Sequence, residues 1–114
     1  MPCIQTTTSA AISDAQRKTL ESRFGKAIEV FPGKTERWLM LTFNDNTPVC
    51  MAGSEDAPAA FVEVSLLGKS DRATFIRMTA EICGILEDVL SVPADRTYVK
   101  YEECSHWGWN GSNF

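Results

Sequence analysis

Apolar positions return along this chain in two rhythms. Leu20, Phe24, Ala27, Ile28 and Phe31 recur at steps of three and four, which places them on one face of a helix. Ser13 opens that helix with Gln16 three residues on, a capping-box pattern, and Asp14 suits the positive end of the dipole. Pro32-Gly33 closes it, because proline breaks the hydrogen-bond ladder and glycine permits a left-handed cap. A second stripe follows Ser70-Asp71: Phe75, Met78, Ile82, Ile85, Leu86 and Val89, stopped by Pro93. The other rhythm is that of strands. Trp38 to Phe43 is an apolar run, which predicts a strand buried on both faces. Ala60 to Leu67 predicts another, with Glu63 and Ser65 sharing a face with Phe61 and Leu67. Thr97 to Tyr101 predicts a short strand with Tyr98 and Lys100 on one face and Val99 on the other. Ile4 to Thr8 predicts a fourth. Asn44-Asp45-Asn46 before Pro48 is turn chemistry, and Gly108 and Gly111 predict an irregular tail whose asparagines and glycines shape a turn.

The order of these elements occurs twice. Ser13-Asp14 matches Ser70-Asp71 and Glu36-Arg37 matches Asp95-Arg96, each about half a chain apart. Strand, helix, proline stop, acid–arginine pair and strand repeat as two βαβ units. A βαβ unit gives parallel strands with its helix on one face. The expected class is therefore α/β in the broad sense (α+β): a four-stranded mixed sheet with two helices on one face. At 114 residues, 1–114 form a single domain. Apolar residues on both faces of the strands, as in Trp38, Leu39, Met40 and Leu41, predict an oligomer that covers the second sheet face.

Composition narrows the chemistry. Charged residues make up 23%, net charge is −4, and pI is about 4.9. No basic footprint for a nucleic acid is present, so nucleic-acid partners are not expected. No apolar run nears the roughly 20 residues that span a bilayer, so no membrane partner is expected either. Thr6, Thr7, Thr8 and Ser9 stand where a signal peptide would be apolar, which points to the cytoplasm. There Cys3, Cys50, Cys83 and Cys104 read as thiols. Cys104 and His106 make half a metal site with no further ligand nearby, so no metal or other cofactor is expected. Asn110-Gly111-Ser112 is formally a glycosylation acceptor, without meaning in the absence of an export signal.

Two residues carry candidate chemistry. Removal of Met1 would leave Pro2 as a free secondary amine on a rigid ring. An α-amino group titrates near 8, and burial or a neighbouring cation lowers it toward the range a general base needs. The plainer alternative is that Pro2 starts an edge strand, where its missing N–H costs nothing. Lys34, just past the first helix, is either a solvated charge at the dipole's negative end or a point charge for a substrate carboxylate.

Met1-Pro2, Gly33-Lys34, Leu66-Leu67-Gly68-Lys69, Pro93-Ala94-Asp95-Arg96-Thr97-Tyr98 and the tail Gly108 to Phe114 fall in one order. In that order the whole chain resembles the macrophage migration inhibitory factor family of the tautomerase superfamily. The resemblance implies a homotrimer whose three sheets form a barrel, with active sites at subunit interfaces. It implies Pro2 as the base of a cofactor-independent keto–enol tautomerase acting on small aryl 2-oxo acids such as phenylpyruvate, with dopachrome-type substrates as a further class. Lys34 and the Leu67 amide would hold the carboxylate, Tyr98 would come from the neighbouring subunit, and Trp38, Trp107 and Phe114 would form an aromatic rim. The alternative is a cytokine-like signalling ligand with vestigial catalysis, a cell-surface receptor as partner, and release from the cell without a signal peptide. Lys100 stands where the animal proteins often have asparagine and is expected to add a second charge to the site. Trp107 replaces a smaller apolar residue and Trp38 a tyrosine, which would narrow the pocket. The cysteine pair of the animal cytokines is absent, with Ala59 and Val62 in that region, so thiol-oxidoreductase activity is not implied.

Overall fold

The computed structural model describes residues 1–114. Strand β1, Pro2–Thr8, leads into helix α1, Asp14–Ala27, and then strand β2, Met40–Asn44. Strand β3, Ala60–Leu67, helix α2, Arg72–Leu90, and strand β4, Thr97–Cys104, repeat the order. The sheet runs β2-β1-β3-β4. Within each half the strands are parallel, and β1 meets β3 antiparallel where the halves join. The duplication read from the sequence is the architecture.

The caps form as their residues dictate. Ser13 and Gln16 exchange both bonds of a capping box, at 2.9 and 3.1 Å. Asp71 accepts from the Thr74 amide at 2.8 Å. The first helix tightens before its predicted end: Ile28–Val30 is a 3₁₀ turn, and Phe31 lies beyond it in extended backbone. Both apolar stripes pack on the same sheet face. Leu20, Phe24, Met78, Ile82 and Leu86 are fully buried against Ile4 and Val62, with Val64 and Leu66 all but fully so. The helices are tied by Gln16 to the Val89 carbonyl (3.2 Å) and by Arg23 to Asp88 (3.0 Å).

Three expectations need correction. The run Trp38 to Phe43 is not a strand buried on both faces. Glu36–Trp38 is a 3₁₀ turn, and β2 is an edge strand with Met40, Thr42 and Asn44 exposed and Leu41 and Phe43 half-buried. Its apolar residues divide between two tasks: Leu41 and Phe43 pack on the core, while Trp38 belongs to an aromatic cluster outside the sheet. Second, the uncovered sheet face is polar. Register places Thr42, Gln5, Glu63 and Lys100 in one row and Cys3, Ser65 and Glu102 in the next. Only Met40, Phe61 and Tyr98 stand on it as exposed large apolar side chains. Ala60, Val62, Val64 and Leu66 of β3 and Val99 and Tyr101 of β4 go to the helix side, so the open face is less apolar than the strand composition predicts. Third, the tail is ordered. Gly108–Trp109 (β5) and Ser112–Asn113 (β6) pair antiparallel across Asn110-Gly111, both at positive φ. Asn-Gly is the strongest short-range hairpin signal.

The second half anchors the long connection between β2 and β3. Arg96 donates to the carbonyls of Met51 (3.3 Å), Ser54 (3.0 Å), Ala57 (3.1 Å) and Pro58 (3.1 Å). One guanidinium thus fastens residues 51–58.

Candidate active site

Pro2 does not start an edge strand. β1 lies between β2 and β3, and Pro2 is buried at its first position, opposite Leu66. A proline at the head of a strand forfeits no essential ladder bond. Just before it, the Met1 carbonyl accepts from the Leu67 amide at 3.0 Å. Lys34 reaches the same spot from the loop after α1, with Nζ donating to the Leu67 carbonyl at 3.0 Å. The chain start, Lys34 and Leu67 therefore converge at one end of the sheet.

Electrostatics at this point favour a neutral amine. The Met1 amine is lowered from 8.0 to about 6, first by burial and then by the charge and hydrogen bond of Lys34. Beside it lies a cavity of about 330 Å³, lined among others by Pro2, Arg37, Trp38, Leu39, Trp107 and Trp109. Such a volume suits a small aromatic molecule. The wall is a fixed aromatic cluster. Trp38 meets Trp109 and Phe114 edge-on at 5.1 and 5.6 Å, and Trp109 stacks on Phe114 at 5.6 Å. The Phe114 amide donates to the Trp107 carbonyl at 3.1 Å, which ties the end of the chain to this wall.

Pro2, Trp38 and Trp107 thus line the cavity, Lys34 and Leu67 stand at Met1 on its margin, and Phe114 backs the wall. Tyr98 is elsewhere. It pairs with Phe61, five residues along β3 from Leu66, roughly 16 Å down the sheet from Pro2. Lys100 does not bring its charge to Pro2 within the chain either. It is held on the open face by Glu102 (3.1 Å) and Glu63 (3.5 Å), which raise its pKa, the Glu102 hydrogen bond foremost. His106 is exposed and Cys104 half-buried at the end of β4.

Sequence reasoning missed Trp109 and Arg37. Asn110-Gly111 signals the hairpin that presents Trp109. Arg37 served only as a landmark of the repeat, yet its guanidinium lies 4.9 Å over the Trp38 ring and lines the cavity. A larger groove of about 450 Å³ lies on α2 between Arg72, Phe75, Ile76, Thr79 and Tyr101. The Tyr101 hydroxyl there is spent on Thr79 (2.8 Å) and the Phe75 carbonyl (3.1 Å), and Arg72 is the one charged residue of the lining, with no base beside it.

The duplicated βαβ sheet is the fold of the tautomerase superfamily. The family model described as Macrophage migration inhibitory factor (MIF) matches residues 1–114, and the chain belongs to that family. It is similar to macrophage migration inhibitory factor of Meriones unguiculatus, with 30% identity over 72% of both chains. The Xenopus laevis protein of the same name is 28% identical over 89% of each. Among solved structures, MIF2 of Leishmania major superimposes with a TM-score of 0.93 and 37% identity, covering 100% of this chain and 97% of that one. The homologue from Prochlorococcus marinus gives 0.83 and 28%, covering 98% of each. No helix is long and apolar enough to cross a membrane.

Proposed function

We propose that this protein is a cofactor-independent keto–enol tautomerase of aryl 2-oxo acids such as phenylpyruvate, with Pro2 as general base once Met1 is removed. The observation that carries this reading is the convergence at Met1: its amine beside Lys34, its carbonyl on the Leu67 amide, and an aromatic cavity alongside. Removing Met1 does two things at once. It converts the Pro2 amide nitrogen into a basic amine in the surroundings that lower the Met1 amine. It also frees the Leu67 N–H to bind an anion. Lys34 and Leu67 then hold the substrate carboxylate, and the tryptophans fix the ring. The neutral Pro2 nitrogen takes a proton from C3 of the 2-oxo acid. The C–H electron pair becomes the C2–C3 double bond, and the C2 oxygen takes up a proton from solvent. Ketonisation is the reverse, with the protonated Pro2 returning its proton to C3.

In the homotrimer that the similarity to solved MIF-fold structures supports, Tyr98 would join this site from another copy of the chain. Lys100, on the same face, would approach with its charge already balanced by Glu63 and Glu102. The relatives' names describe an effect on macrophages, which makes a signalling ligand the second reading. A Pro2→Gly protein that lacks catalysis but still drives a cellular response would favour it.

Two measurements test the main proposal. Intact mass establishes whether Met1 is removed. Trimmed protein should then accelerate conversion of enol to keto phenylpyruvate, and Pro2→Gly should lose most of that rate. Equal rates in the two proteins would overturn it.

A further inference from the structure

The repeat places an arginine before the second strand of each half, and the two copies have different fates. Arg96 spends its guanidinium on four carbonyls of the 51–58 connection. Arg37 spends none of its donors. It takes part in none of the four ion pairs of the chain, and its one defined contact is the face of Trp38 at 4.9 Å. Its acidic neighbour does not neutralise it. The Glu36 carboxylate is folded over Gly25 of α1, a close approach that a β-carbon there would block. None of the side chains lining the cavity with Arg37 is acidic.

Arg37 is exposed but not adrift. Trp38 beneath it is clamped edge-on by Trp109 and Phe114, so the surface on which the guanidinium rests is fixed. A guanidinium held over a ring by cation–π attraction and without a hydrogen-bond partner in the chain has its N–H groups available for bidentate contact with a carboxylate. The cavity is thus bordered by two cations. Lys34 stands on the Met1 side with Nζ engaged at Leu67, and Arg37 stands on the tryptophan wall. One carboxylate of a 2-oxo acid occupies the first and leaves the second unanswered.

We infer that Arg37 is a second anion-binding group of this site, and that the preferred substrates are aryl 2-oxo acids bearing a second carboxylate on the ring. The inference rests on the proposed tautomerase reading for the first carboxylate at Lys34. It goes beyond that reading in naming a dianionic substrate class and the residue that selects it.

The experiment compares phenylpyruvate with 4-carboxyphenylpyruvate on Met1-trimmed protein and on its Arg37→Ala and Arg37→Lys variants. The quantity read is the ratio of kcat/KM for the diacid to that for the monoacid. A charge-assisted hydrogen-bonded pair predicts that Arg37→Ala lowers the ratio about ten- to a hundredfold. Arg37→Lys should fall between, because an ammonium keeps the charge but loses the fork. A ratio that does not move in Arg37→Ala overturns the inference, and turnover of both acids in that case leaves the tautomerase reading standing. A binding measurement separates the two ideas in the other direction. Calorimetry with 4-carboxycinnamate and cinnamate, which cannot tautomerise, should show the diacid losing about tenfold or more in affinity relative to the monoacid in Arg37→Ala. If it does while neither 2-oxo acid is turned over, the anion site stands and the tautomerase reading fails. Equal losses for both cinnamates overturn the inference.

Discussion

Replacing Lys34 by methionine keeps most of the side-chain stem and removes its charge. Two consequences follow from where Nζ sits. Of the three causes that bring the amine at the chain start from 8.0 to about 6, burial is the largest, and the other two belong to Lys34. The part due to burial therefore survives the substitution, and the pKa rises without returning to the ordinary α-amino value. The neutral amine is the reactive base, so activity falls as pH drops through its pKa. In trimmed protein the acid limb of kcat/KM, which reports the free enzyme, should lie below the ordinary α-amino range in the parent. It should shift upward in the variant, toward the ordinary α-amino value. The second consequence concerns the substrate. Loss of a charge-assisted hydrogen bond to its carboxylate costs roughly 1.5–3 kcal/mol, which raises KM about ten- to a hundredfold. Both are read from steady-state enolisation of keto phenylpyruvate, the direction in which neutral Pro2 takes the proton, between about pH 5 and 9. An acid limb that stays in place together with an unchanged KM would refute the idea that Lys34 tunes the base and anchors the acid.

Three further outcomes concern stability. Arg96→Ala should lower unfolding free energy by about 2–4 kcal/mol and open residues 51–58 to proteolysis, since four carbonyls lose one shared donor; unchanged cleavage there would count against the staple. Thr6→Val should gain about 1 kcal/mol, or about 4 °C in Tm, because the Thr6 hydroxyl is fully buried without a hydrogen-bond partner. A fall in Tm would show that the hydroxyl is satisfied. Ser91→Gly should also stabilise, by about 1 kcal/mol, because Ser91 ends α2 at φ 57°, where a side chain is penalised. Thermal melts decide both.

The helices were legible because their signals are local. Ser13 and Gln16 are three residues apart, and the stripes repeat within one element. β3 was legible to the residue because its apolar side faces helices contributed by the same chain. The open sheet face was misread for a reason of register. Counting apolar residues along Trp38 to Leu41 treats them as one strand, whereas Trp38 and Leu39 lie before β2 and only Met40 points to the open face. Pro2 and Lys34 stood out by residue type, but their meeting at Leu67 depends on β1 pairing with β3 across half the chain. Arg37 carried no signal of its own. Only the contrast with Arg96, whose four side-chain hydrogen bonds all go to backbone carbonyls, shows that one copy of the repeated arginine was left unspent.

The bond between the Met1 carbonyl and the Leu67 amide has a practical meaning for anyone who handles this protein. With Met1 in place, its carbonyl fills the Leu67 amide and Pro2 has no free amine, so the chain is inert on the proposed reading. Specific activity then measures maturation. Two batches of equal purity and fold would differ in rate in proportion to the fraction of chains that lost methionine. An affinity tag fused ahead of Met1 would yield well-folded protein with no activity at all.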